Sequence, residues 1–115
     1  MEPSNAHIEE LKRYCGKVGM FPEAGFTYYF LGDLRLPAGC EPPVCDALLC
    51  PQLKDGYPSR LYFSVQVNGR YARNWNFNAR IGEKNWLAFS WKVDLANPTL
   101  AQLLVAHLSG FVKEK

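Results

Sequence analysis

The sequence lacks the features that identify several large classes of protein. No apolar run in its 115 residues approaches the roughly 20 residues that span a bilayer. The N-terminus is acidic and helical in pattern, whereas a secretion signal is basic and then apolar. The net charge is only +2, far from the strong positive charge of a dedicated nucleic-acid-binding protein. The sequence therefore predicts a cytoplasmic protein that contacts no membrane, and it disfavours nucleic acid as a partner.

The familiar signatures of enzymes are missing as well. The chain has no Ser-His-Asp order, no phosphate-binding glycine loop and no paired carboxylate motif. The pattern places His7 in a solvated first helical turn and His107 on the apolar face of the last helix. A histidine on such a face is more often a hydrogen-bonded core residue than a catalytic base. No hydrolase, nucleotide enzyme or cofactor is predicted.

The chain does contain ample material for a hydrophobic core. Hydrophobic residues make up 48% of it, and 14% of all residues are aromatic. At this length such a composition suffices for one domain, which we place at residues 1–115, without disulfides or metals.

Helical patterns occur near the two ends of the sequence. Ser4 is a plausible N-cap for a helix over residues 5–17. Near the other end, Asn97 is expected to cap a helix with Pro98 in its first turn. One face of that last helix is uniformly apolar or aromatic apart from a histidine: Leu100, Leu103, Leu104, His107, Leu108 and Phe111.

Strand patterns occupy the middle of the chain. Four strands are predicted, at residues 26–36 with a bend or bulge at Gly32-Asp33, at 44–50, at 61–67 and at 86–93. Residues 19–25 are expected to connect the first helix to the first strand, and residues 51–59 are expected to form a turn-rich loop. Residues 68–85 are expected to form a long loop or a broken hairpin. This order predicts an α+β fold, a four-stranded antiparallel meander with an N-terminal and a C-terminal helix packed on one face.

The four cysteines are expected to be free thiols in the cytoplasm. Cys15 lies on the buried stripe of the first predicted helix. The spacing of Cys40, Cys45 and Cys50 disfavours a metal site, because Cys45 and Cys50 fall on opposite faces of a regular strand. Cys40, predicted to be the most exposed of the four, and Cys50, at a strand end, can each be a nucleophile or a packing residue.

Basic and aromatic side chains alternate irregularly between residues 70 and 86. The basic residues are Arg70, Arg73, Arg80 and Lys84, and the aromatic ones are Tyr71, Trp75, Phe77 and Trp86. Such interleaving suits single-stranded nucleic acid or an acidic protein surface, unless the aromatics are core and the arginines solvated. Trp75 and Trp86 can also be interface anchors in a larger assembly.

Three short passages carry a resemblance to a known family: Pro51 with Gly56-Tyr57-Pro58 ahead of residues 61–65, Trp91-Lys92-Val93 ahead of Asn97-Pro98-Thr99-Leu100, and Leu36-Pro37-Ala38-Gly39. In this order they resemble the ubiquitin-conjugating enzyme (E2, UBC) superfamily, and within it the compact bacterial E2-like proteins of ubiquitin-like modification systems. The resemblance covers nearly the whole chain and implies a UBC/RWD-like fold. It also implies two partners, a ubiquitin-like protein and its activating enzyme.

The sequence departs from that family where the family's catalytic residues stand. Conjugating enzymes carry a His-Pro-Asn tripeptide after the meander and a thioester-forming cysteine several residues later. Residues 73–78 here contain neither histidine nor proline, and no cysteine follows Cys50. Two outcomes are open. The protein is either a non-catalytic binding module, similar to the UEV and RWD relatives, or an enzyme in which Cys50 or Cys40 has become the thioester-forming nucleophile. In the second case an amide from Asn74 or Asn76 would stabilise the oxyanion.

The binding module is the simpler of the two outcomes, since it requires only that the nucleophile was lost while the scaffold was kept. The candidate residues for partner binding are Tyr57, Pro58, Arg70, Arg73, Trp75 and Trp86. No metal ligand is assigned.

Overall fold

A computed structural model describes residues 5–75 and 77–113 of the protein. Six strands and two short α-helices follow one another along the chain: α1 (Asn5–Leu11), β1 (Lys17–Glu23), β2 (Phe26–Arg35), β3 (Val44–Cys50), β4 (Arg60–Phe63), β5 (Phe77–Ile81), β6 (Lys84–Ala88) and α2 (Leu100–Leu108). A single turn of 3₁₀-helix, Ser109–Phe111, continues α2. The strands form one antiparallel sheet in the order β1-β2-β3-β4-β6-β5.

The predicted four-stranded meander of UBC/RWD type is therefore wrong, because the sheet has six strands and the helices are short. The first additional strand is β1, which lies where the sequence analysis placed the end of a helix and a connector. It pairs with β2 without interruption from Lys17 opposite Gly32 to Glu23 opposite Phe26. Pro22 is compatible with this strand because β1 lies at the edge of the sheet, where a missing N–H costs no ladder hydrogen bond.

The second additional strand is β5, which forms a hairpin with β6 inside the segment predicted as a long loop or broken hairpin. Gly82 and Glu83 form its turn with φ angles of 59° and 65°, and positive φ at both central residues is the signature of a type I′ turn. β6 ends at Ala88, earlier than the predicted strand end at residue 93, and β4 ends at Phe63 instead of residue 67.

Other predictions are confirmed. β3 spans Val44–Cys50 as expected. The pairing of β2 with β3 shifts between Leu31 and Leu34, and Asp33 has a φ of 54°, so the predicted bulge is present. The predicted apolar face of α2 and of the turn that follows is buried throughout.

The helix caps differ from the prediction. Thr99, not Asn97, caps α2: its hydroxyl accepts from the backbone N–H of Gln102 at 3.1 Å, and the Gln102 side chain accepts from the Thr99 N–H at 2.8 Å. This reciprocal pair is a capping box, which satisfies two of the amides left free at a helix start. Ser4, the expected cap of the first helix, lies outside the described residues.

The sheet separates two apolar clusters. The helix-side cluster packs both helices against one face and includes Leu11, Leu31, Leu49, Phe63, Phe89, Leu104 and Phe111. The far-side cluster covers the opposite face and includes Tyr28, Leu48, Cys50, Tyr62, Trp86 and Ala88. The two outer hairpins meet over this face, where the Gly82 N–H donates to both Glu23 carboxylate oxygens at 3.0 and 3.1 Å. The sheet is therefore curled, and no helix is needed to cover its far side.

No helix within the described ranges is long and apolar enough to cross a membrane.

Candidate docking groove

The four cysteines are free thiols with little access to solvent. Cys50 is fully buried in the far-side cluster and Cys40 is 3% exposed in the helix-side cluster. Burial raises the pKa of both thiols, so each is protonated at neutral pH. Because a thioester forms through a solvent-accessible thiolate, neither cysteine is placed or ionised for acyl transfer as it stands.

Cys45, and not Cys40 as predicted, is the most exposed cysteine in the described chain. Cys40 is buried because the adjacent Glu41 exchanges two backbone hydrogen bonds with Asn68, at 2.9 and 2.8 Å, which hold this turn against the core. Cys45 and Cys50 lie on opposite faces of β3, as the spacing predicts. Burial, followed by the charge of Asp46, raises the pKa of Cys45 to about 11.

The structure does not combine a cysteine with an asparagine amide. Asn74 is exposed, and its backbone carbonyl accepts from the Ser90 N–H at 3.0 Å. Within the described residues its side chain forms no hydrogen bond with Cys40 or Cys50. Asn76, the other candidate oxyanion donor, lies outside the described residues. No group of three His, Cys, Asp or Glu side chains in the described ranges could hold a metal ion.

The loop that carries the Tyr57-Pro58 motif closes on a tight turn. Lys54 and Tyr57 exchange backbone hydrogen bonds of 2.9 Å, and Asp55 and Gly56 between them have φ angles of 56° and 84°. Aspartate followed by glycine is the sequence that this type I′ geometry favours. Tyr57 is half-buried and Pro58 is exposed at the end of the loop.

A charged cluster fastens this turn to the sheet. Lys54 Nζ donates to the Tyr62 hydroxyl at 2.8 Å, and that hydroxyl donates to Asp55 Oδ2 at 2.7 Å. The Arg60 guanidinium lies 4.3 Å from the ring centre of Tyr57 and 4.5 Å from that of Phe77. Burial and the carboxylate of Asp55 raise the pKa of Tyr62, so its phenol stays protonated and serves as a donor.

Arg60 is the charged residue most completely removed from water in this cluster. Its side chain is 2% exposed, its Nε is 3.8 Å from Asp55 Oδ2, and neither Nε nor Nη2 has a hydrogen-bond partner among the described residues. The rings on which it stacks offset part of the cost of burying the charge through cation–π attraction. Arg60 thereby joins the turn, β4 and β5.

Ser59 and His107 form a buried polar pair between β4 and α2. The Ser59 hydroxyl is 2.8 Å from His107 Nε2, and the two residues are 1% and 4% exposed. Burial and the positive charge of Arg60 lower the pKa of His107 to about 4, so the imidazole is neutral at pH 7. The prediction of a hydrogen-bonded core histidine is confirmed. The pair has no access for a substrate and positions α2 instead.

Arg73 is occupied by the backbone of the C-terminal segment. Its Nε donates to the Gly110 carbonyl at 2.6 Å, and its Nη2 donates to the carbonyl of Lys113. The guanidinium also lies 4.8 Å from the ring centre of Trp91. Arg70 is exposed, with its backbone N–H bonded to the Phe111 carbonyl at 2.8 Å. Arg73 thus holds the segment that contains Gly110 and Lys113 against the loop after β6.

The two tryptophans of the 70–86 segment face the interior. Trp75 is half-buried against Phe63 and Phe89, with ring centres 5.6 and 5.0 Å away. Trp86 is 2% exposed in the far-side cluster, and its Nε1 donates to the Ile81 carbonyl at 3.0 Å. Trp86 presents no free face on which a nucleotide base could stack and has almost no surface to anchor a protein partner, whereas Trp75 is packed against the core and only partly exposed. The structure supports the alternative in which these aromatics are core.

An open groove, which the sequence analysis did not anticipate, surrounds the outer face of α2. It consists of three adjoining hollows of about 540, 780 and 310 Å³. The first lies toward Trp91 and Lys92, the second toward residues 95–99, and the third toward Leu36 and Pro37. Ser109 lines all three hollows, so they meet at the end of α2.

Apolar side chains project into this groove. Val105 is 46% exposed and lines the second and third hollows, and Leu95 is 48% exposed and lines the first and second. The sequence contained a signal for this surface, since Val105 is a large apolar residue outside the leucine stripe of the last helix. An exposed apolar side chain at such a position costs no core packing and is available to a partner.

The wall of the groove is held by hydrogen bonds. Trp91 Nε1 donates to the Ala106 carbonyl at 3.1 Å, and the Ser109 hydroxyl donates to the same carbonyl at 2.6 Å. Arg73, which lines the first hollow together with Trp91, stacks against the Trp91 ring. The groove is consequently formed before any partner arrives, which lowers the ordering cost of binding.

No family model, no curated protein and no solved structure matches the chain, so no known relative indicates what the groove binds.

Proposed function

We propose that the protein is a non-catalytic, protein-binding component of a bacterial ubiquitin-like conjugation system, located in the cytoplasm. The observation that carries the binding role is the groove around α2, whose apolar side chains Val105 and Leu95 are about half exposed. A preformed groove with apolar residues on its floor and charged residues at its rim is typical of sites that bind a protein segment. The choice of system and of partners rests on the short sequence motifs alone, since the six-stranded sheet is not the UBC/RWD-like fold that they imply.

The state of the thiols supports binding over transfer. Conjugation through a thioester requires a thiolate that a partner's carboxyl end can reach. Cys40 and Cys50 are buried with raised pKa values, and the more accessible Cys45 has a pKa of about 11. The alternative of a displaced thioester cysteine therefore receives no support from the geometry.

The nucleic-acid alternative is weakened because part of its aromatic surface is taken up by the core. Single-stranded binding combines a basic groove with aromatic faces on which bases stack. Trp86 is buried, Trp75 is half-buried against the helix-side cluster, and Arg73 is engaged with backbone carbonyls. Arg70 and Arg80 are exposed, and with few aromatic faces beside them they favour an acidic protein surface over a nucleotide strand.

The decisive experiment combines the protein with a bacterial ubiquitin-like protein and its activating enzyme, together with ATP. Non-reducing gels are expected to show no thiol-sensitive adduct, while calorimetry detects binding to one of the two partners. The four single Cys→Ser variants are the controls. An adduct that disappears in only one of them would establish the enzyme, and the absence of binding to either partner would remove the proposed system.

A further inference from the structure

We infer that the groove around α2 binds an acidic amphipathic helix of a partner protein, with its apolar side chains at Val105 and its carboxylates at Lys92 and Lys113. This inference deepens the proposed function and rests on it only in treating the chain as a binding module. It specifies the chemistry of the partner segment and the direction in which that segment lies.

The charge of the groove selects an acidic segment. Four cationic side chains line the hollows, against two acidic ones: Arg35, Arg73, Lys92 and Lys113 against Glu10 and Asp94. Lys92 and Lys113 are exposed and form no ion pair with any residue in the described ranges. Both can therefore pair with carboxylates of a partner at no internal cost, which complementary interfaces use for orientation and for rapid association.

Charge and apolar surface are unevenly distributed around α2. The third hollow is lined mostly by apolar groups, namely Tyr14, Leu36, Pro37, Val105, Leu108 and Val112. Its cation, Arg35, is turned to the backbone, since Nη2 donates to the Arg13 carbonyl. The first hollow carries Lys92 and Lys113, and Lys113 also lines the second hollow beside Val105. A segment that crosses at Ser109 would meet apolar surface at one end and positive charge at the other.

The form of the groove favours a helix over an extended strand. A strand binds by pairing with an exposed sheet edge, and the two edges of this sheet, β1 and β5, contribute no residue to any of the three hollows. The floor is instead a helix face with small side chains at Ala101, Ala106 and Ser109. Small residues permit close approach of a second helix, whose apolar side chains can then pack beside Val105.

The test is an NMR titration of the ¹⁵N-labelled protein with a stapled helical peptide of about 15 residues, a length near the minimum for a stable isolated helix. The peptide carries leucines toward one end and glutamates toward the other, all on the face that meets the groove, and a second peptide has lysine at every glutamate position. The acidic peptide is expected to shift the amides of Val105, Ser109, Val112 and Lys92. The basic peptide is expected to bind at least tenfold more weakly.

Matched variants separate the groove from the overall charge. A double variant with Lys92→Glu and Lys113→Glu should bind the acidic peptide about tenfold more weakly, because two attractive charges at the rim become repulsive. The pair Lys17→Glu and Arg80→Glu changes the net charge equally but outside the groove, and it should leave the affinity unchanged.

A second pair of variants tests the apolar contact. Val105→Glu should abolish binding, whereas Val65→Glu should not, because Val65 is similarly exposed, at 44% against 46%, but lies outside the groove. Circular dichroism and the unaffected amide signals verify that both variants are folded.

The outcomes distinguish this inference from the proposed function. Equal binding of the two peptides, shifts confined to β1 or β5, or no shift at all would overturn the helix-binding groove. Binding of the acidic peptide at the groove, combined with failure to bind the ubiquitin-like protein and the activating enzyme, would support the groove and remove the conjugation system.

Discussion

Acidification should destabilise the protein through His107. Burial and the charge of Arg60 lower the pKa of this residue to about 4 in the folded state, against about 6.5 for histidine in an unfolded chain. Between these two pH values the unfolded chain binds a proton that the folded protein excludes. The free energy of unfolding is therefore fully retained above pH 6.5 and falls as the pH falls toward 4.

The expected magnitude follows from that difference in pKa. Proton linkage changes the free energy of unfolding by at most about 1.4 kcal/mol per pH unit, and between pH 7 and pH 5 the loss is about 2 kcal/mol. With the urea dependence typical of a small domain, this loss lowers the urea midpoint by about 1 to 2 M. Urea unfolding followed by tryptophan fluorescence at pH 7, 6 and 5 measures it directly.

A glutamine at position 107 provides the test of the cause. His107→Gln keeps a side chain that can hydrogen-bond Ser59 but removes the titrating ring, so the midpoint should become nearly independent of pH over this range. Thr99→Ala, which weakens the cap of α2 and leaves the imidazole in place, is the control for a general loss of stability and should retain the wild-type slope. A flat profile in the wild-type protein, or a slope that survives in His107→Gln, would refute the assignment.

Three further predictions concern packing, capping and thiol access. Gly110→Ala should destabilise the fold by about 1 to 3 kcal/mol in thermal unfolding, because the added methyl group would lie 2.8 Å from the Phe89 ring; an unchanged melting temperature would contradict this contact. Thr99→Ala should cost about 1 kcal/mol through loss of the capping box, and Thr99→Ser should restore most of it. Ellman's reagent should modify the folded protein slowly and Cys45 first, whereas rapid modification of Cys40 or Cys50 in single-cysteine variants would mean that these thiols are accessible.

The parts of the fold that the sequence predicts well have strong local signals. The alternation in β3 and the three-four spacing of leucines in α2 each identify a buried face. The bulge was visible as Gly32-Asp33 interrupting an alternating strand. In all three cases the side chains that define the pattern are also those that fill the core.

The sequence does not predict β1 and β5 because the turns of their hairpins have weak sequence signals. Their hairpins turn at Ala24-Gly25 and Gly82-Glu83, where alanine and glutamate have the positive φ angles of 53° and 65° that such residues rarely adopt. Only Asp55-Gly56 has the favoured composition, and there the turn was expected. In β5 the alternation was present in Phe77–Ile81, but the polar residues between its apolar ones resembled a loop.

Apart from the apolar Val105 outside the leucine stripe, the groove could not be predicted, because its shape depends on tertiary placement. It is formed where the chain leaves the sheet after Ala88 and Trp91 turns to donate to the Ala106 carbonyl. No periodicity in the sequence encodes that hydrogen bond. The basic and aromatic residues of the 70–86 segment favour a different binding surface, but Trp75 packs against the helix-side cluster and Trp86 is part of the far-side cluster.

The curl that brings Glu23 to Gly82 also bears on self-association. An open sheet leaves two edges whose unpaired amides and carbonyls can recruit further strands and start a fibril. Here those edges are β1 and β5, and they converge at the Glu23 carboxylate. Pro22 removes a donor from one edge and Arg80 places a charge on the other. The same bend that completes the far-side cluster therefore protects the protein against edge-to-edge aggregation at high concentration.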